Sequence, residues 1–183
     1  MPSGRAHETI NLLTYAAAAT FYAYVRQRGI TFDTPLAPET LRTFSVSYLI
    51  GTFLVTPDLD LAENRMRARN NWGLLGMLWI PYGGLFSHRG LSHTWIIGPL
   101  TRLVYLLLLA LAFSWAAAQV GPLFGYHFSV KAELGENGLE LALGALTGYY
   151  LSQWLHLLAD GIQPDHAWRG GRKAKAAKGR KKR

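Results

Sequence analysis

The chain has 183 residues, half of them hydrophobic, with a formal charge of +8 and no cysteine. That length fits one domain or one small membrane bundle. The missing thiols exclude disulfides and thiolate metal sites, so His, Asp and Glu are the side chains left to hold a metal. The mean hydropathy is low for a protein of several membrane spans, because polar loops and a basic tail dilute strongly apolar segments.

The start, Met1 to Glu8, is polar and lacks the cleavage pattern of a secretory signal. An Ala-rich apolar run from about Thr9 to Val25 is long enough for a weakly hydrophobic membrane helix. Residues 29–39, with two prolines, read as a loop. A second run, Leu41 to Val55, is short for a span and stops at Thr56-Pro57-Asp58-Leu59-Asp60. Residues 61–71 are polar and basic. Trp72 to Phe86 is apolar but interrupted by Pro81 and Gly83-Gly84, which predicts an interfacial or re-entrant segment.

Ser87 to Thr94 crowds two histidines, an arginine, two serines and a threonine into eight positions. Ser92 reads as the N-cap of a third span, with His93 in its first turn and His88 in the loop before it. Trp95 to Val120 is the clearest membrane segment, interrupted by Arg102, whose long side chain can snorkel to the boundary. Residues 121–137 read as a loop. Gly138 to Ala159 is the fourth apolar segment, with Gly144 and Gly148 at the spacing of a helix-packing face. The expectation is an all-α fold: a membrane bundle of about four transmembrane helices over residues 1–168, then a disordered basic tail over 169–183.

Four spans put both termini on one side of the membrane. The basic tail and the loops with Arg65, Arg67, Arg69 and Arg89 share that side, so the positive-inside rule predicts a multi-pass cell-membrane protein with cytoplasmic termini. The same topology gathers His7, Asp58, Asp60, His88, His93, His156 and Asp160 at one end of the bundle. His127 falls on the other side and is excluded.

Polar clusters at such a boundary usually mark function. His156 and Asp160, four apart on a helix, share a face and can supply two ligands, or one ligand oriented by a carboxylate. Asp58 and Asp60 point the same way if the segment is extended. Each pair also has a plain reading, as a helix cap or a Pro-Asp turn. Arg89 is either a partner for a phosphate or carboxylate or a basic loop residue obeying the topology. No P-loop, dinucleotide fingerprint or serine-nucleophile elbow is present in the sequence.

Four elements, Met1 to His7, Pro57 to Asp60, His88 to His93 and His156-x-x-x-Asp160, resemble an uncharacterised family of metal-binding membrane proteins from Pro2 to about Asp165. More distantly they resemble the membrane-bound metal-dependent hydrolases, which carry a His-Arg-Gly-x-Thr-His-Ser motif where this chain has Ser92 and Thr94. The resemblance implies a metal site built from His7, Asp58, Asp60, His88, His93, His156 and Asp160. Its implied chemistry is hydrolysis of a phosphoester or acyl substrate, lipid-linked if the membrane supplies it.

In that reading one or two divalent ions, Zn ahead of Mn or Fe, activate water. Asp60 or Asp160 accepts the proton, and Arg89 stabilises charge on the substrate. A non-catalytic structural or sensory metal protein is the alternative. The expected partners are membrane lipids, with anionic headgroups on the basic tail. The tail lacks the aromatics of a nucleic-acid binder.

Overall fold

A computed structural model describes residues 3–30, 37–61, 67–86, 91–127 and 135–163. Every regular element among them is helical. Helix α1 runs Gly4–Gln27, and Ser3 caps it by accepting a hydrogen bond from the Ala6 amide. It therefore begins ahead of the apolar run, and His7 sits in its first turn.

Helix α2, Pro38–Phe53, starts on a proline that needs no amide partner there. It gives way to a 3₁₀ turn, Pro57–Leu61. The extended segment expected around Asp58 and Asp60 is thus a tight turn. After α3, Arg67–Asn71, a 3₁₀ stretch Gly73–Trp79 passes directly into α4, Ile80–Leu85. Pro81 lies in the first turn of α4, so it initiates that helix where a break was expected.

This segment is hooked onto the bundle by the Trp72 indole, which donates to the Leu54 carbonyl at 2.7 Å, and by the Tyr105 hydroxyl, which donates to the Leu78 carbonyl. Trp79 and Tyr82 are fully buried, whereas Leu74, Leu75, Met77 and Leu85 face outward.

A 3₁₀ turn Leu91–His93 precedes α5, Ile97–Val120. Ser92 is therefore not the N-cap of α5 and His93 is not in its first turn. The N-cap position falls on Ile96, and the Thr94 hydroxyl, two residues ahead of it, accepts from the Gly98 amide at 2.9 Å. The helical path continues through a 3₁₀ turn, Gly121–Phe124, so the expected loop opens only at Gly125, which has φ of 79°. Helix α6 spans Gly138–Ala159, as the sequence predicts.

Helices α2 and α6 pack closest, and glycine makes that possible. A Cβ on Gly148 would stand 2.2 Å from the Phe44 carbonyl oxygen, and one on Gly51 would stand 2.1 Å from the Ser152 hydroxyl. Backbone meets backbone along this seam, as small-residue spacing implies.

Among the described residues, Ile97–Phe124 is the one stretch long and apolar enough to cross a membrane. Arg102, within it, does not snorkel. It is completely buried, with Nη1 donating to Gln153 Oε1 at 2.8 Å and Nη2 donating to the Ser92 carbonyl. A polar layer extends from it across the bundle. Gln153 Nε2 donates to the Gly51 carbonyl at 3.1 Å, Asn11 Nδ2 donates to Thr52 Oγ1 and the Ser152 carbonyl, and the Tyr48 hydroxyl donates to the Asn11 carbonyl. Buried polar groups are costly unless paired, and this layer pairs most of them across α1, α2, α5 and α6.

Candidate metal centre

Directly above that layer, four elements deliver acids and histidines to one place. His7 projects from the first turn of α1, one turn from Asn11. His156 projects from the last turn of α6, and Asp160 caps that helix. Asp58 and Asp60 come from the Pro57–Leu61 turn and His93 from the Leu91–His93 turn. A 3₁₀ turn has about three residues per turn, so residues two apart diverge. Asp58 accordingly reaches His156, while Asp60 reaches His93 and Ser92.

Asp160 lies between two histidines, with Oδ1 at 3.2 Å from His7 Nε2 and Oδ2 at 3.6 Å from His156 Nε2. Asp58 Oδ1 approaches the same His156 nitrogen at 3.5 Å. The two imidazoles are stacked, with centroids 3.9 Å apart and planes 12° from parallel. On the other flank, Asp60 Oδ2 sits 3.1 Å from His93 Nδ1 and accepts a 2.6 Å hydrogen bond from Ser92 Oγ. That contact suits the Nδ1–H tautomer of His93, which leaves Nε2 as the ring's lone-pair nitrogen.

Donor atoms of His7, His156 and Asp160 lie within 4.8 Å of one another, and so do those of Asp58, His93 and Asp160. Asp160 belongs to both triads. Two ligands on one tetrahedral zinc are spaced about 3.3 Å apart, from bond lengths near 2.0–2.2 Å. The separations of 3.2, 3.5 and 3.6 Å bracket that spacing. His156 Nε2 is buried with no hydrogen-bond partner among the described residues. A buried imidazole nitrogen facing two carboxylates without bonding either is costly as it stands and satisfied by a cation between them. The residues fit a divalent metal.

The electrostatics agree with ligand chemistry. Burial, the largest influence, and the facing His156 ring push the His7 imidazole below its ordinary range, against the pull of Asp160 and Asp58. A neutral imidazole is the metal-binding form. Burial, the largest influence, would alone raise the Asp58 carboxyl, but the attraction of the facing His156 ring, with His7 and His93 behind, outweighs it and holds Asp58 below the usual range.

Of the residues singled out in the sequence, the structure brings together His7, Asp58, Asp60, His93, His156 and Asp160. His88 and Arg89 lie outside the described residues. His127 is exposed beyond the far end of α5 and takes no part. Sequence reasoning missed the support beneath the ligands. Asn11 follows His7 by one helical turn and Ser152 precedes His156 by one turn, so helical spacing from each ligand would have found them.

A helical scaffold that seats two overlapping His/Asp triads defines a candidate divalent-metal protein. The chain belongs to the family described as uncharacterized metal-binding protein, DUF2227, whose profile matches residues 2–170. It is also similar to an uncharacterized protein of Aquifex aeolicus strain VF5, 40% identical over 72 residues. That stretch is 39% of this chain and spans half the length of the relative. No solved structure matches the chain.

Proposed function

We propose that this metal-binding protein is a hydrolase at the cytoplasmic surface of the cell membrane, acting on a phosphoester or acyl substrate presented at the lipid boundary. The observation that carries the reading is the sharing of Asp160 by two ligand triads, which suits a pair of ions, Zn ahead of Mn or Fe. A bound divalent cation would supply Lewis acidity, acidifying water and polarising the substrate oxygen.

The chain's own residues divide the remaining work. Asp160 would be the ligand common to both triads, and Asp60 holds His93 in place from behind. Both are nearly closed to solvent, with side-chain exposures of 2% and 0%. Asp58, at 19%, is the most open of the three and belongs to the second triad, so it would help hold an ion where water has access. Arg89, which lies outside the described residues, is proposed on its sequence position alone to meet charge on the substrate.

The membrane placement rests on an inverted distribution of polarity. Leu107, Leu108, Leu111 and Phe113 on α5, Leu139 and Leu143 on α6, Leu13 and Phe21 on α1, and Val46 on α2 are all exposed. His7, Asn11, Thr52, Arg102, Ser152 and Gln153 are buried. Apolar outside and polar inside is the arrangement lipid favours, with four helices crossing and the basic tail on anionic headgroups.

A non-catalytic metal protein is the second reading. It draws on the burial of His7, His93 and His156, at 4%, 1% and 4% exposure, since structural sites are closed.

The test is turnover by detergent-purified protein on nitrophenyl phosphoesters, nitrophenyl acyl esters and phospholipids. The hydrolase reading expects activity abolished by chelation, restored by metal and absent in His156→Ala. Full metal occupancy with no turnover on any of these classes contradicts it and leaves the second reading. Release of the protein from membranes by high-salt or alkaline washing contradicts the membrane placement.

A further inference from the structure

We infer that Arg102 is a positioning residue for the His93 ligand, an inference that rests on the metal-binding reading and assigns work to a buried charge that reading leaves unused. Arg102 is completely buried in α5, where an ionised group is costly unless its surroundings answer it. Its guanidinium donates to the Gln153 amide oxygen and the Ser92 carbonyl oxygen, and it also lies beside the Tyr82 and Tyr149 hydroxyls.

The negative charge closest along these contacts is Asp60, whose Oδ2 accepts from Ser92 Oγ and sits 3.1 Å from His93 Nδ1. A continuous chain therefore runs from Arg102 through Ser92 and Asp60 to the imidazole.

The anchoring has a mechanical reason. His93 is carried on a three-residue turn, Leu91–His93, which has no helical hydrogen-bond ladder to fix its direction. Arg102 holds that turn by its carbonyl, and Gln153 holds Arg102 in turn while donating to the Gly51 carbonyl of α2. The guanidinium fork spans Ser92 and Gln153 at once. A lysine ammonium presents a single point of charge and cannot span both with the same planar geometry. The ligand turn is thus keyed to α2, α5 and α6 through one side chain, while His7, His156 and Asp160 reach the cluster from α1 and α6 without it.

The test uses Co(II) as a spectroscopic probe on detergent-purified, metal-stripped full-length protein. Wild type, His93→Ala, Arg102→Met and Arg102→Lys are titrated by visible absorption and isothermal calorimetry, with helicity followed by circular dichroism. The reference is the cobalt equivalent, with its d–d bands, that His93→Ala removes. Arg102→Met is expected to lose that equivalent and keep the one held by His7, His156 and Asp160.

Arg102→Lys is expected to keep native helicity and weaken the His93-dependent equivalent by roughly ten-fold or more, the scale of losing an outer-shell partner. If Arg102→Met does not fold, Arg102→Lys decides alone. Equal weakening of both equivalents in it, or of neither, overturns the inference. Wild-type protein that takes up no cobalt overturns the metal reading itself, a result distinct from a wild type that loads and an Arg102 variant that matches it.

Discussion

His7 and His156, from opposite ends of the chain, lie ring on ring with centroids 3.9 Å apart. Burial and the facing His156 ring together hold the His7 imidazole below its ordinary range. Asp160 Oδ1 lies 3.2 Å from His7 Nε2 and Asp58 Oδ1 lies 3.5 Å from His156 Nε2, so each ring of the stack has a carboxylate beside its Nε2.

That relationship sets the pH response of the metal-stripped protein. His7 has a folded pKa below its unfolded 6.5, so the unfolded chain binds more protons in this range and stability rises with pH. Acidification from pH 8 should therefore lower the melting temperature, beginning near 6.5 and levelling below the depressed folded value. Asp58 adds stability that is present above its unfolded 3.8 and lost as pH falls through its lower folded value. Melting curves of wild type and His7→Asn from pH 8 to 5 check this. A wild-type profile no steeper than the variant's contradicts it.

Asp60 binds the back of His93, so its removal should weaken metal binding without removing a ligand from either triad. Asp60→Asn is expected to cost roughly 10- to 100-fold in affinity for the His93-dependent ion, the usual scale for a carboxylate behind a ligating histidine. Ser92→Ala, which loses only the 2.6 Å hydroxyl contact, should cost less. Competition against a chelating indicator measures both. Unchanged affinity in Asp60→Asn would show that the carboxylate does not orient the ring.

Gly148→Ala should destabilise the fold by about 1–3 kcal/mol, the range for overpacking a close-packed seam. The added methyl meets the Phe44 carbonyl at 2.2 Å, and that atom belongs to backbone that can retreat only by separating α2 from α6. Thermal or denaturant unfolding reads the loss. Gly84→Ala, with open space around its Cβ position, is the control.

Much of the site was legible because apolar runs fix the ends of helices. Once α1, α2, α5 and α6 alternate in direction, His7, Asp58, Asp60, His93, His156 and Asp160 must fall at one end. What pattern could not supply was local geometry. The Pro57–Leu61 turn is 3₁₀, so Asp58 and Asp60 part and do different work. Ser92 resembles an N-cap by type and position, yet its hydroxyl is claimed by Asp60 while the Thr94 hydroxyl takes up the Gly98 amide of α5.

Arg102 was misjudged for the same reason. A lone arginine in an apolar run suggests snorkelling, and only the fold shows Gln153 and Ser92 waiting for it. The number of membrane crossings was likewise not settled by hydropathy, since Ile97–Phe124 alone among the described residues meets the requirement by length and composition.

The most direct measurement is metal per chain, by elemental analysis of untagged protein purified in detergent, beside a His93→Ala/His156→Ala double variant. Two overlapping triads joined by Asp160 predict one to two equivalents of Zn, Mn or Fe in the wild type, lost in the variant. A wild type that holds no metal after purification and controlled re-addition would contradict the account, and the cluster would then be a hydrogen-bonded clasp for four helix ends.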